Sequence, residues 1–402
     1  MKRIGVLGGG QLGTMLAGAI HDLGAEACIY EPDAAAPACA RFRNVVNAPW
    51  TDADALGRFF SSCDAVTYEM EHIDTRALKA LETGAPLLPN VSVLETAQDR
   101  IHEKTFLERA GLPHVAFAVV RGRDELLRVA GSFGFPFIIK TVRGGYDGKG
   151  QAFVASAAGL GPVAATLAAD GVYLLEEAID LALEASVIVG RSPRGEEVVF
   201  PVFENVHTEH ILDLTVVPAR IPPELAERLQ SIALEAARAL DVHGLLTTEF
   251  FLSRTATQRP AMSTNATAHA PSRSVAVGGH HVYVNEFAPR PHNSGHVTRN
   301  ACTASQYDVL ARVLLDVPVA SPALVGPGVF CMGNLLGDIW LAQGRRDLDL
   351  SSLRQFPEVI DVVLYGKRDA QPRRKMGHFV TQAPDADRAI RAAKAFRHNL
   401  LA

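Results

Sequence analysis

From Arg3 to Pro89 the chain alternates short apolar runs (Ile4 to Leu7, Ala27 to Tyr30, Val45 to Ala48, Ala65 to Tyr68, Pro86 to Leu88) with stretches whose apolar residues recur at helical spacing. Such alternation predicts a parallel sheet with helices on its faces. Past Asp99 the texture changes. A helix over Asp99 to Ala110 leads into short strands, and Val172 to Thr215 reads as further strands with a turn at Ser192-Pro193-Arg194-Gly195. Pro222-Pro223 then opens a helix with Leu225, Leu229, Ile232, Ala236 and Leu240 on one face. That order predicts an α+β unit with an antiparallel sheet. After strand Leu245 to Leu252, the segment SRTATQRPAMSTNATAHAPSRSVAVGGH (253–280) has no period and is expected to be an inserted flexible loop joining two strands. Strands near Val329 to Leu335 and Val359 to Tyr365, with a helix over Asp385 to Leu400, complete the pattern.

The first strand runs into GVLGGGQLG, where Gly8, Gly10 and Gly13 fill G-x-G-x-x-G ahead of a helix from Gln11 to Leu23. Glu31, at the end of the second strand, stands where a ribose-binding acid of a dinucleotide site belongs. On these residues alone an NAD(P)-dependent oxidoreductase is a live reading.

At 402 residues the chain exceeds what a single core ordinarily organises. Its formal charge of -5 gives no electrostatic reason to propose nucleic acid as a partner. The five cysteines, Cys28, Cys39, Cys63, Cys302 and Cys331, form no C-x-x-C pair and suit a reducing cytoplasm better than a disulfide framework or a zinc site. Gln11, His21 and Asp22 interrupt any signal-like run, so a mature, untargeted start is expected. Ala152 to Ala169 carries no charge, yet is too rich in Ala, Gly, Ser and Thr for hydrocarbon; no membrane association is expected, and a strand followed by a small-residue helix is.

The segment PFIIKTVRGGYDGKGQ (136–151) delivers Lys140 on a buried strand and follows it with Gly144, Gly145, Gly148 and Gly150 around Lys149. Glycines let backbone N–H groups approach phosphate oxygens, and lysines supply the compensating charge. It is not a Walker A loop, because Arg143 stands where the first glycine belongs and Gly150 follows the lysine. Either a phosphate cover of another kind or a plain hairpin fits. Glu249 and Glu286 each lie on an apolar strand, and a carboxylate there is costly unless paired or holding a cation. With Asn285 or Asn293 they make hard oxygen ligands suited to Mg²⁺; pairing with Arg or Lys in the core is the plainer alternative. His292 and His296 have zinc-motif spacing without its glutamate, so anion contacts from a loop fit better. Glu69 and Glu71, and the basic group Lys367, Arg374 and Lys375, read either as solvated surface or as ligand contacts.

Together GGGQLG, VTYEMEH, QDRIHEKTFLERAGLP, IIKTVRGGYDGKGQ, NEFAPRPHNSGH and RKMGH resemble, in that order and over nearly the whole chain, the ATP-grasp family of 5-(carboxyamino)imidazole ribonucleotide synthases of purine biosynthesis. The resemblance implies an ATP-grasp fold of α/β and α+β character: a Rossmann-like domain over 1–98, an ATP-grasp domain over 99–320 and a small C-terminal domain over 321–402. It implies ATP-dependent carboxylation of 5-aminoimidazole ribonucleotide by bicarbonate through carboxyphosphate, a cytoplasmic homodimer, and a glycine turn that carries no dinucleotide. Carried over residue by residue, Arg100 and Lys140 contact ATP phosphates beneath a closing loop of Gly145, Tyr146, Asp147, Gly148, Lys149, Gly150 and Gln151. Glu176, Glu177, Ala178 and Ile179 form the adenine hinge, Glu184 takes the ribose, and His207 and Asn285 join the nucleotide site. Glu249 and Glu286 hold Mg²⁺. Glu71, Tyr146 and Asp147 meet the aminoimidazole, Lys367 and Arg374 its 5′-phosphate, and Arg290, His292, Asn293 and Ser294 face bicarbonate. The 253–280 insertion, Gln371 in place of a usual arginine, and the small Ala178 and Ala185 depart from the family pattern. A formate-using glycinamide ribonucleotide transformylase, or a nucleotide-binding regulator without turnover, are the remaining alternatives.

Overall fold

A computed structural model describes residues 1–81, 84–145, 149–257 and 269–401. Tyr146, Asp147 and Gly148, and positions 258–268 of the insertion, lie outside the described residues. Strands β1 (Arg3–Leu7), β2 (Glu26–Tyr30), β3 (Val45–Val46) and β4 (Ala65–Tyr68) form a parallel sheet in the order β3-β2-β1-β4. The expected strand at Pro86 to Leu88 contributes a single bridge, Leu87 to Val66. Apolar side chains on both faces, Ile4, Val6 and Ile29 on one side and Leu7, Tyr30 and Tyr68 on the other, bury against helices, as a parallel sheet requires.

The next sheet contains β5 (Phe117–Arg121), β6 (Phe137–Thr141), β7 (Gln151–Val154) and β8 (Val172–Glu177). The larger one is built from β9 (Leu181–Arg191), β10 (Glu197–Val199), β11 (Phe203–Thr208), β12 (Ile211–Val217) and β13 (Gly244–Ser253). Beyond the insertion come β14 (His269–Ala270), β15 (Val275–Val277), β16 (His280–Ala288), β17 (Val329–Leu336), β18 (Val359–Leu364) and β19 (Lys375–Ala383). The large sheet runs β15-β16-β13-β9-β11-β12-β17-β19-β18, with β10 against β9. The helix Pro223–Ala239 buries Leu225, Leu229, Ile232 and Ala236 against it, each leucine contributing about 1.5–3 kcal/mol of transfer free energy.

One expectation needs correction, and two features of the C-terminal strands were not in the pattern. The insertion is not loop throughout: β14 pairs with β5, Ala270 packs with Phe117, Val119 and Leu174, and β15 pairs with β16. Alternating residues there cap an open sheet edge, which needs backbone pairing more than a core of its own. The C-terminal strands do not make a sheet of their own, since β17 pairs with β12 in the large sheet. β19 was not anticipated, because RKMGH carries too little alternation to read as a strand.

The glycine turn has its own anions. Gly9 N–H donates to Glu31 at 2.7 Å, while Gly10 and Gly13 N–H donate to Glu69 at 2.8 and 2.7 Å. Carboxylates of the same chain thus take the Gly13 N–H in the first turn of helix Gln11–Asp22 and two N–H groups of the turn before it, where a dinucleotide would place its diphosphate. A Cβ on Gly13 would lie 2.4 Å from the Gly8 carbonyl oxygen. Gly13→Ala is therefore expected to lower the unfolding free energy by about 1–3 kcal/mol in urea titrations; an unchanged midpoint would contradict this packing.

Candidate active site

A cavity of about 640 Å³ opens where the three sheets converge. Arg100 enters it from the first turn of helix Arg100–Arg109, which Asp99 caps by accepting from Ile101 and His102 N–H at 3.0 and 3.3 Å. Its guanidinium donates to the Gly145 carbonyl and to Glu286, each at 3.2 Å, joining the glycine loop to the acid strand. Lys140 arrives on β6, and Lys149 and Gln151 line the rim.

Beneath Lys140 lies a buried ionic cluster. Glu176 pairs with Lys140, and with Lys104 at 3.2 Å, while Lys104 also donates to the Asn285 carbonyl at 2.9 Å. Burial pushes the Glu176 carboxyl up, but the two ammonium groups outweigh it and hold the group at about 2. Glu103, on the same helix, is pushed up to about 8 by burial and accepts the Phe287 N–H at 2.6 Å. The Glu176 carboxylate thus faces Lys140 and Lys104. Glu177 and Ala178 N–H donate to Ala116 and Pro136 carbonyls at 2.9 and 3.3 Å, fixing the link that Ile179 continues toward β9.

Glu249 on β13 and Glu286 on β16 are direct cross-strand partners at a register shift. Like charges so placed repel. Burial and then the charge of Glu249 push the Glu286 carboxyl up, with Arg100 opposing. Burial also pushes Glu249 up, but hydrogen bonds from His292 and Asn285 and the nearby imidazoles bring it down to about 2. Asn285 Oδ1 is buried without a hydrogen-bond partner. Two carboxylates and an unpaired amide oxygen fit a hard divalent cation completed by substrate phosphates. Among the described residues no cluster of three or more His, Cys, Asp or Glu forms a self-sufficient metal cage. Farther along, Glu184 on β9 and His207 on β11 pair at 2.9 Å, which raises the imidazole against the effect of its burial.

The loop after β16 brings Arg290, His292 and Asn293 into the cavity. Arg290 Nε lies 3.0 Å from Glu71, which comes from beyond β4, so the two ends of the chain's chemistry meet there. Both polar atoms of the Asn293 amide are buried without partners. Ser294 does not line the cavity; it is fully buried beneath His292. Thr215 donates to Asn205 at 3.1 Å and Asn205 to Ser186 at 2.9 Å. Ser186 and Ser294 oxygens are 2.9 Å apart, as are Ser294 Oγ and His292 Nδ1. Every hydroxyl hydrogen finds an acceptor when Ser186 donates to Ser294 and Ser294 to His292, which leaves the imidazole Nε2–H for Glu249 at 2.9 Å. Gly150 also stays off the cavity wall, and Tyr146, Asp147 and Gly148 are outside the described residues.

Lys367 and Arg374 sit apart from the main cavity, near the glycine turn. Lys367 Nζ donates to the Lys375 carbonyl at 2.8 Å, and burial, then Arg374, lowers it to about 8. Arg374 donates to the Asp369 carbonyl at 2.8 Å, while its own N–H donates to the Gln371 carbonyl at 3.1 Å. The exposed Gln371 therefore shapes this turn through its backbone.

Residues 105–307 match the ATP-grasp domain, 1–98 the ribonucleotide synthetase preATP-grasp domain, and 331–392 the phosphoribosylaminoimidazole carboxylase C-terminal domain. N5-carboxyaminoimidazole ribonucleotide synthase of Bacillus subtilis is 33% identical over 388 residues, covering 95% of this chain and 92% of the relative. The chain belongs to the N5-carboxyaminoimidazole ribonucleotide synthase family. The synthase of Synechococcus elongatus is 32% identical, across 98% of this chain and 93% of its own. A crystal structure of an N5-carboxyaminoimidazole ribonucleotide synthetase with ADP superposes with a TM-score of 0.85 at 34% identity, covering 98% and 96% of the two chains. The synthase from Aspergillus clavatus, solved with ADP and 5-aminoimidazole ribonucleotide, gives a TM-score of 0.82 at 26% identity over 100% and 98%.

Within this synthase fold, the sequence reading missed Glu103, Lys104 and the Ser186-Asn205-Thr215 chain. Arg100, Glu103 and Lys104 share one helix face at i, i+3, i+4, which was the available signal. The hydroxyl chain left none, since its members come from separate strands. Glu176 supplies a pH test. Its carboxyl is about 2 folded against an ordinary 4.5, so its contribution is complete above about 4.5 and drains as pH falls toward 2. Glu176→Gln, which strands two buried lysines, is expected to cost about 3–5 kcal/mol at pH 7, a deficit that narrows between pH 4.5 and 2 in urea titrations. A constant deficit across that window would contradict the assignment.

Proposed function

We propose that this protein uses ATP and bicarbonate to carboxylate the exocyclic amine of 5-aminoimidazole ribonucleotide, releasing ADP, phosphate and the N5-carbamate. The supporting observation is the convergence on one cavity of the Arg100–Lys140 charge set, the Glu249–Glu286 pair and the Arg290–Asn293 loop against Glu71. Bicarbonate is a poor electrophile. Its oxygen attacks the γ-phosphorus, ADP departs, and the resulting carboxyphosphate presents an activated carbonyl. The amine then bonds to that carbon while phosphate leaves with the C–O bonding pair.

Arg100 and Lys140 neutralise the transferring phosphate, with Gly145 and Lys149 in the covering loop. Glu184 and His207 are held 2.9 Å apart, ready to exchange their mutual bond for contacts with the nucleoside. Glu249, Glu286 and Asn285 hold Mg²⁺, which when bound offsets the polyphosphate charge. Arg290, aimed by Glu71, and the unpaired Asn293 amide orient bicarbonate, while His292, fixed from below by Ser294, directs an N–H along the acid edge. Lys367 and Arg374 hold the ribonucleotide 5′-phosphate. A cytoplasmic homodimer belongs to the same reading, the compartment being supported by five unpaired thiols.

The test is ADP release by purified protein with MgATP and bicarbonate. ADP should form only on addition of 5-aminoimidazole ribonucleotide. Release with glycinamide ribonucleotide and formate instead would overturn the substrate assignment.

A further inference from the structure

On the face of the first sheet that carries Leu7 and Tyr30, two cysteines meet over a glycine. Gly5 on β1 is the register partner of Cys28 on β2, so the two positions share a face. Cys63 comes from the end of the helix Ala53–Ser61, just before β4, and a Cβ built on Gly5 would lie 3.0 Å from its sulfur. Any side chain at position 5 would occupy that space. The bare backbone instead leaves that space to the Cys63 sulfur, which packs against the same apolar cluster that contains Cys28. Arg3, two residues before Gly5 on the same face, places Nη2 3.4 Å from Cys28 Sγ. Its guanidinium is also tied to Glu26 at 3.2 Å, and its side chain is 42% exposed.

We infer that Cys28 and Cys63 form an oxidisable dithiol site that a hydroperoxide-class oxidant converts into an intramolecular disulfide across β1.

The thiol hydrogen of Cys63 and the charge of Arg3 both favour Cys28 as thiolate and, against the effect of burial, bring its thiol pKa down to about 6, while that of Cys63 is pushed up. Cys28 sulfur attacks one peroxide oxygen; the S–O bond forms, the O–O bond breaks, and hydroxide leaves and takes up the proton that Cys28 released. Cys63 sulfur then attacks the Cys28 sulfenic sulfur; the S–S bond forms, the S–O bond breaks, and the departing hydroxide takes the Cys63 proton. Two thiols lose two electrons and the peroxide becomes two waters. Cys63, partly exposed, gives the oxidant its approach.

The other thiols lack this arrangement. Cys302 and Cys331 are buried, and desolvation pushes each up to about 12. Cys39 is likewise raised by burial; its sulfur meets Asn47 Nδ2 at 3.5 Å and the Asp33 carbonyl oxygen at 3.6 Å, and no second thiol.

The experiment is limited hydrogen peroxide treatment of the full-length protein, followed by thiol titration and peptide mapping without reduction. The expected result is loss of two of the five thiols and one cross-linked peptide pair containing Cys28 and Cys63, lighter by two hydrogens. In Cys63→Ser, Cys28 should halt at the sulfenic acid and be trapped by dimedone about tenfold or more faster than Cys302. Oxidation first at Cys39, or no cross-link in the parent protein with no Cys28 adduct in the variant, would overturn the inference.

Discussion

Two carboxylates opposite one another on paired strands set the terms for the active site. Glu249 and Glu286 cannot both be charged cheaply in that position, and the fold does not separate them. It surrounds them with partial compensation instead: Arg100 at 3.2 Å from one, His292 at 2.9 Å from the other, and the Glu176–Lys140 pair behind. Glu286 thus has a cation in Arg100, as the plainer sequence alternative has it, while Glu249 meets the His292 imidazole. Here the acids share a cavity with an unpaired Asn285 oxygen, an arrangement that remains incomplete until a cation and phosphates arrive.

The N-terminal sheet illustrates how similar backbone geometry serves a different end. A glycine turn before a helix is an anion site, and this one is filled by Glu31 and Glu69 of the same chain. That internal pairing tethers the ends of β2 and β4 to the turn. It thereby fixes the chain leading to Glu71, which in turn aims Arg290 at the cavity. The fingerprint signalled an anion at the turn, and the Glu31 and Glu69 carboxylates accept the Gly9, Gly10 and Gly13 N–H groups there.

Local patterns carried most of the architecture. Strands β1, β2 and β4 follow from short apolar runs, and Pro222-Pro223 with its apolar stripe gave the long helix. What escaped the reading depends on distant pairing. β14 exists because β5 offers an open edge, and β19 because β17 and β18 flank it. Within the site, glycines, lysines and strand-borne acids were legible because each is costly or unusual where it stands. Ser294, which the resemblance places facing bicarbonate, is turned inward by the loop onto Ser186. Glu176, which the resemblance places at the adenine hinge, is also a buried anion between two lysines, a pairing the sequence does not announce.

The central claim is that the carboxylate pair is destabilising alone and is relieved by a divalent cation with nucleotide. Thermal unfolding of the parent protein and Glu286→Gln, each with and without Mg²⁺ and ADP, tests it most directly. The account predicts that, free of ligands, the variant unfolds at a higher temperature than the parent, and that Mg²⁺ with ADP stabilises the parent far more than the variant. A variant less stable than the parent without ligands, yet equally stabilised by them, would contradict it.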